Sequence, residues 1–339
     1  MNRSYPVIPR RVPHFRSGAR RIWMTLLVAV VAAGSVSGYS DGIPPDEAGA
    51  SARLETSPRH GEWIVYKADG EDAVDAWVVY PERSDPAPIV IVIHEIFGLT
   101  DWARAVADQF AADGFLAIAP DFLSGKGPDG GGSYDILPGS ARRLIGRLDA
   151  AEIARRLDGA ATYARSLPSS NGQFGVVGYC WGGGVSFSYA TMQADLGAAV
   201  VFYGTSPATN TIEGVSAPVL GLYGGRDNRV NATIPAAEAE MERQGKTFEK
   251  QMFDGAGHGF LRQQSGQSGA NMEASEAAWP AAIEFFELHL ESEAVMQIHH
   301  TVDTLFVVLS VGDHAGEFCA IEGSSDGELD TSLAASLVF

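Results

Sequence analysis

Cysteine is nearly absent from this chain: 339 residues carry two, Cys180 and Cys319. A disulfide-rich secreted scaffold is therefore excluded. Basic residues are also scarce, with 24 Lys and Arg against 42 Asp and Glu and a formal charge of −18. Outside the N-terminus no Lys/Arg cluster exists to neutralise a phosphate backbone, so nucleic acid is excluded as a partner. An acidic surface of this kind keeps an exported protein soluble. Long hydrophobic runs are missing too. The stretch Ile22 to Ala33 is too short to span a bilayer. Glycine is plentiful, but no Lys-Ser or Lys-Thr follows the glycines of Gly127–Ser133, which removes the phosphate-loop pattern there. What remains is 45% hydrophobic, ample for a sizeable buried core.

The first forty residues hold six arginines and no acid, then that apolar run, then small residues ending Ser35-Val36-Ser37-Gly38. This is the layout of an export signal, with cleavage near Ser37. Arg20-Arg21-Ile22-Trp23-Met24 loosely resembles a twin-arginine motif. The expected location is periplasmic or secreted, with no stable membrane insertion after cleavage; an uncleaved segment would instead anchor the chain. The expected organisation is a signal at 1–37, a linker rich in Pro, Gly, Ala and Ser at 38–60, one domain at 61–292 and an extension of unknown role at 293–339. The extension reads as partly disordered, with Thr304 to Val311 a strand or a short helix.

The most informative stretch is Gly178-Tyr179-Cys180-Trp181-Gly182-Gly183, which follows the apolar run Phe174 to Val177. Small residues around a central nucleophile permit a strained strand-to-helix turn that exposes its side chain above a sheet. Here that side chain is a thiol. A helix N-terminus and a nearby imidazolium are expected to lower its pKa and favour acyl transfer through a thioester. Taken alone, the same pattern is equally a Gly-rich bend around a buried cysteine.

Two later segments also run from apolar residues into glycines and then present one polar group. Val219 to Gly225 leads to Asp227, and Gln251 to Gly257 leads to His258. The order nucleophile, acid, histidine is that of the α/β-hydrolase fold. In that arrangement His258 takes the thiol proton, and Asp227 fixes its tautomer and stabilises the imidazolium. The plainer readings are a helix cap for Asp227 and a loop histidine for His258. Neither explains why both close consecutive strand-like runs. Because a disulfide would consume this nucleophile, both cysteines are expected to be free. An exposed thiolate outside the cytoplasm would also be open to oxidation.

A fully apolar run, Pro88 to Ile93, delivers His94 and Glu95 into a turn. Such a run marks a central parallel strand, whose carboxyl end faces ligand. Glu95 is a candidate second base near the thiol. The backbone N–H groups of Ile96 and Trp181 are the candidate oxyanion hole. Antiparallel edge strands are expected at Glu62–Lys67 and Asp75–Tyr80. A helix is expected over Trp102–Ala112, a long amphipathic one over Arg142–Leu167, and a last one over Trp279–Leu290. With the strands between them this alternation predicts an α/β class fold, a mostly parallel central sheet with helices on both faces. The Gly-rich loop Gly127–Ser133 is equally a lid or a solvated linker.

His94-Glu95-Ile96-Phe97-Gly98, Ala119-Pro120-Asp121, the Cys180 motif, Gly225-Arg226-Asp227 and Gly255-Ala256-Gly257-His258-Gly259-Phe260 together resemble the dienelactone hydrolase family over roughly Gly61 to Leu290. The resemblance implies a monomeric α/β-hydrolase with a Cys-Asp-His triad that cleaves small esters or enol-lactones without metal or cofactor. It implies that Glu95 contacts the resting thiol and helps deprotonate it, and that Arg262 binds a substrate carboxylate. After Asp121 the chain departs from the family's lactone enzymes, and Lys126 there is only a point-charge substitute for an arginine. Substrate identity is therefore open. A broad carboxylesterase or thioesterase, a non-catalytic exported binding protein and a redox-sensing thiol protein are the other readings.

Overall fold

Apolar strands set the architecture. The computed structural model describes residues 42–68, 72–137 and 139–291, and only the backbone of 294–300, 305–311 and 314–321. Helix α1 (Ala50–Thr56) precedes strands β1 (Gly61–Lys67), β2 (Ala73–Val79) and β3 (Ala87–Ile93). Next come α2 (Asp101–Ala112), β4 (Leu116–Pro120), α3 (Ala141–Ile145), α4 (Ala150–Arg165), β5 (Ser170–Tyr179) and α5 (Trp181–Ala190). The domain continues with β6 (Ala198–Phe202), β7 (Val219–Gly224), α6 (Asn228–Asn231), α7 (Ile234–Arg243), β8 (Phe248–Phe253) and α8 (Ala270–Leu290).

These strands form one eight-stranded sheet in the order β1-β2-β4-β3-β5-β6-β7-β8. The pairs β1–β2 and β2–β4 are antiparallel, and every later pair is parallel. All seven residues of β3 are buried, because helices cover both of its faces. The fold is the expected α/β class with a mostly parallel central sheet.

Several local expectations are corrected. Of the two strands expected at the edge only β1 lies there; β2 sits between β1 and β4. The long helix foreseen over 142–167 is two helices. The chain turns at Gly146, and Asp149 starts α4 by accepting a hydrogen bond from the Glu152 N–H at 2.7 Å. The final helix starts nine residues before Trp279 and runs through Pro280. Gly42–Arg59 is not a free linker. Arg53 and Arg59 both pair with the buried Asp108, at 2.8 and 2.6 Å. Trp102 and Gln264 donate to the carbonyls of Pro45 and Pro44. Burial pushes the Asp108 carboxyl up, but Arg59, Ser57 and Arg53 outweigh it and hold it below its usual range. Composition suggested a linker because a single buried acid far along the chain supplies the anchor.

In the tail, β9 (Ala294–His300), β10 (Leu305–Val311) and β11 (His314–Ile321) pair antiparallel in a separate three-stranded sheet. The stretch foreseen as strand or helix is thus a strand. Cys319 falls in β11, whose side chains lie outside the described residues. The expected signal at 1–37 also lies outside them. No described helix is long and apolar enough to cross a membrane.

Candidate active site

Four loops at the carboxyl ends of neighbouring strands converge: Glu95 follows β3, Cys180 follows β5, Asp227 follows β7 and His258 follows β8. In parallel sheets this is where ligands bind. Cys180 has φ +57° and ψ −112°, a conformation that a non-glycine residue adopts only when its surroundings impose it. Its neighbours do so by close approach. A Cβ on Gly178 would lie 1.9 Å from the Gly182 carbonyl oxygen, and one on Gly182 would lie 2.3 Å from that of Ile93. Both contacts are backbone and cannot give way. Gly182→Ala is accordingly expected to lower stability by about 3 kcal/mol or more, measured by thermal denaturation. An unchanged melting temperature would show that the elbow is not held this way.

The three sequence-predicted triad residues meet. The Cys180 thiol lies 3.0 Å from His258 Nε2, and His258 Nδ1 lies 2.5 Å from Asp227 Oδ2. With Asp227 ionised, Nδ1–H donates to it and Nε2 is left to accept the thiol proton. Asp227 also caps α6, its Oδ1 accepting from the Val230 N–H at 3.3 Å. Cap and triad partner are therefore one residue using two oxygens. Asn231 supports the preceding turn by donating to the Gly224 carbonyl at 3.0 Å. This side chain belongs to a glycosylation-type sequence but is engaged internally.

Trp181 and Ile96 both direct backbone N–H groups at the thiol. They favour the thiolate, but burial works against it more strongly, followed by the charge of Glu95, and the Cys180 pKa is pushed up to about 11. The lowered value expected from the helix terminus is thus reversed by desolvation. Alkylation of substrate-free protein by iodoacetamide is expected to keep accelerating as pH rises above 9, and Glu95→Gln to accelerate it at pH 8. A rate that plateaus between pH 6 and 9 would mean a stabilised thiolate instead.

Glu95 is buried and its Oε2 accepts from Arg262 Nε at 2.8 Å. Burial raises its pKa, and Arg262 opposes that rise. Arg262 is held further by Glu47 and lies over the Phe97 ring, 4.7 Å from its centroid. Its side chain is only 11% exposed, and it does not line the cleft above Cys180. Lys126 is likewise engaged elsewhere, with Glu152 at 2.8 Å. His94 is fully buried: its Nδ1–H donates to the Glu95 carbonyl at 2.7 Å, and Nε2 accepts from the Phe122 N–H at 3.2 Å. Burial lowers its pKa, so it stays neutral and fixes the backbone that presents Glu95 and Ile96.

The Gly-rich loop does not line this cleft. Ser133 ties it down by donating to Asp121 from both N–H and Oγ–H, at 2.6 and 2.5 Å. Residues missed by sequence reasoning include Tyr203, which follows β6 with φ +41° and sets its ring edge-to-face 5.3 Å from that of His258. Arg142 and Arg229, which line the cleft, were also missed. No local sequence signal distinguishes them from solvated arginines.

The sequence model described as "Dienelactone hydrolase family" matches residues 74–290. The chain belongs to the dienelactone hydrolase family. A protein of Escherichia coli named "Putative carboxymethylenebutenolidase" is 30% identical over 232 residues, covering 64% of this chain and 83% of its own length. One of the same name from Saccharolobus solfataricus is 30% identical over 247 residues, covering 64% and 94%. A crystal structure from Klebsiella pneumoniae, called "Putative Dienelactone Hydrolase", is 26% identical with a TM-score of 0.60, covering 67% of this chain and 98% of that one. Membership in this family, together with the α/β-hydrolase fold, makes the chain a dienelactone-hydrolase-like hydrolase.

Proposed function

We propose that this hydrolase cleaves a carboxylic ester or enol-lactone through a thioester on Cys180. The observation that carries the reading is the chain from the thiol through His258 to Asp227, with two backbone N–H groups facing the same sulfur. As the Cys180 sulfur attacks the substrate carbonyl, His258 Nε2 takes its proton and Asp227 stabilises the imidazolium. The N–H groups of Ile96 and Trp181 receive the oxyanion. The tetrahedral species expels the alkoxide, which takes the proton back from His258, and a thioester remains. Water then attacks, giving its proton to His258, and the carboxylic acid leaves as the thiol is reprotonated. Losing one oxyanion donor costs on the order of 10²–10³ in turnover.

Glu95 lies close enough to raise the thiol pKa, and the charge of Arg262 compensates it. If a bound substrate disturbs that compensation, Glu95 becomes a stronger proton acceptor beside the thiol. The first 37 residues support export, and a monomer acting on a small-molecule substrate fits the family resemblance. Mass spectrometry after brief incubation with activated esters tests the proposal. An acyl adduct on Cys180, absent in Cys180→Ala, is the expected result. Turnover retained in that variant would refute it.

A further inference from the structure

The cleft above Cys180 measures about 690 Å³, towards the upper part of the roughly 300–1,000 Å³ usual for ligand pockets. That is far more than a compact lactone fills. Its floor is one stripe of α5 and the turn after it: Trp181, Gly184, Val185, Ser188, Tyr189 and Met192. Positions spaced by three and four share a helix face, and this face is turned away from the sheet. Gly182, Gly183, Ser186 and Phe187, on the opposite side, are buried; within the stripe Val185 and Tyr189 are also largely covered, and Trp181, Gly184, Ser188 and Met192 carry its exposed surface. From Trp181 to Tyr189 the stripe runs about 12 Å at 1.5 Å per residue. That matches some ten bonds of an extended chain at roughly 1.2 Å per bond. Leu148 and Ile153 supply apolar surface on the facing wall.

Charge is distributed unevenly along this groove. Arg142 and Arg229 line it and no acidic residue does, in a chain where acids outnumber bases 42 to 24. Neither arginine side chain has a hydrogen bond or ion pair among the described residues, whereas Arg262 is occupied by two carboxylates. Arg229 is near enough to favour the Cys180 thiolate. Arg142 belongs to α3, whose Ala141 and Ile145 pack in a cluster with Trp181.

We propose that the cleft takes an ester joining an extended, medium-chain acyl group to an anionic alcohol. The apolar chain lies along α5 from the thioester position, and the carboxylate or phosphate of the alcohol meets Arg229 and Arg142 beside the scissile bond. This inference rests on the ester-hydrolase reading and specifies its substrate class. Attack by Cys180 transfers the acyl group to sulfur and releases the anionic alcohol with the proton from His258. Water then frees the fatty acid.

The test compares p-nitrophenyl esters from acetate to dodecanoate, and 3-carboxy-4-nitrophenyl octanoate with its uncarboxylated counterpart. Each methylene buried on α5 is expected to raise kcat/KM by a factor of about two to four, so octanoate exceeds acetate by at least tenfold. Ser188→Phe should erase most of that gain. Met192→Trp, at a half-exposed position, should shorten the optimum in the same direction without loading the core. In Arg142→Gln/Arg229→Gln the ratio of anionic to neutral ester is expected to fall about tenfold. An optimum at acetate, or equal losses on both esters in the double arginine variant, would overturn the proposal while leaving Cys180-dependent hydrolysis standing. Turnover that survives Cys180→Ala would instead overturn the underlying reading. Octanoate binding to the Cys180→Ala protein, followed by calorimetry with and without Ser188→Phe, examines the groove independently of chemistry.

Discussion

Cys180→Ala is expected to reduce turnover by a factor on the order of 10⁴–10⁶, with the melting temperature almost unchanged. The two parts of this expectation have separate causes. Alanine occupies the φ of +57° at a cost similar to that of cysteine, because strain at this position comes from the Cβ that both residues carry. The lost sulfur, by contrast, is the atom that faces His258 Nε2 and both backbone donors. Cys180→Ser preserves the position of a proton donor but exchanges the thiol for a less nucleophilic hydroxyl. It should bind substrate like the parent and acylate far more slowly. Steady-state kinetics with circular dichroism on all three proteins measures this. Alanine-variant turnover within tenfold of the parent would remove Cys180 from the mechanism, since no other described cysteine could replace it.

The raised thiol pKa also bears on how Cys180 would meet an oxidant. Oxidation requires thiolate character as well as access. Burial and the nearby charge of Glu95 keep Cys180 protonated at rest, while His258, 3.0 Å away, stands ready to accept the proton during attack. Reactivity therefore depends on the presence of a carbonyl in the cleft. A resting thiol with a pKa of about 7 would react faster with peroxide as well as with ester.

Legibility in the sequence followed the range of the interactions. Cys180, Asp227 and His258 could be located because each follows a strand through a glycine-rich turn, a local backbone requirement; β5 and β7 run apolar into that turn, whereas β8 is largely exposed. The α/β class was legible for the same reason: β3 is apolar throughout, as a strand covered on both faces must be. Pairings across long sequence separations were not. Nothing near Arg53 or Arg59 shows that Asp108 will hold them, and nothing near Arg262 shows that Glu47 and Glu95 will share it. The α5 stripe also escaped notice, because helical spacing of apolar residues looks identical whether it faces a core or an open groove. The direction of the Cys180 pKa shift was missed since desolvation depends on the assembled site and not on the helix terminus alone.

Arg262→Gln is expected to have the largest effect on stability. Glu95 and Arg262 have side chains only 4% and 11% exposed, so solvent screens their pairing little. Removing the arginine leaves a buried carboxylate uncompensated, which typically costs about 3–5 kcal/mol, or roughly 6–20 °C in melting temperature for a domain of this size. The loss should also depend on pH in a defined direction. Burial raises the Glu95 pKa above its ordinary 4.5, so ionising Glu95 costs the folded protein more than the unfolded chain. The charge penalty is absent below the unfolded-state value and grows as pH rises through the folded one. Without Arg262 the folded value rises further and the window widens upward. Melting curves of Arg262→Gln should therefore approach those of the parent near pH 4 and diverge towards pH 8. Glu95→Gln/Arg262→Gln, which buries no unpaired charge, should recover most of the loss. A deficit that is constant across this pH range would mean that Arg262 acts through packing over Phe97 and not through Glu95.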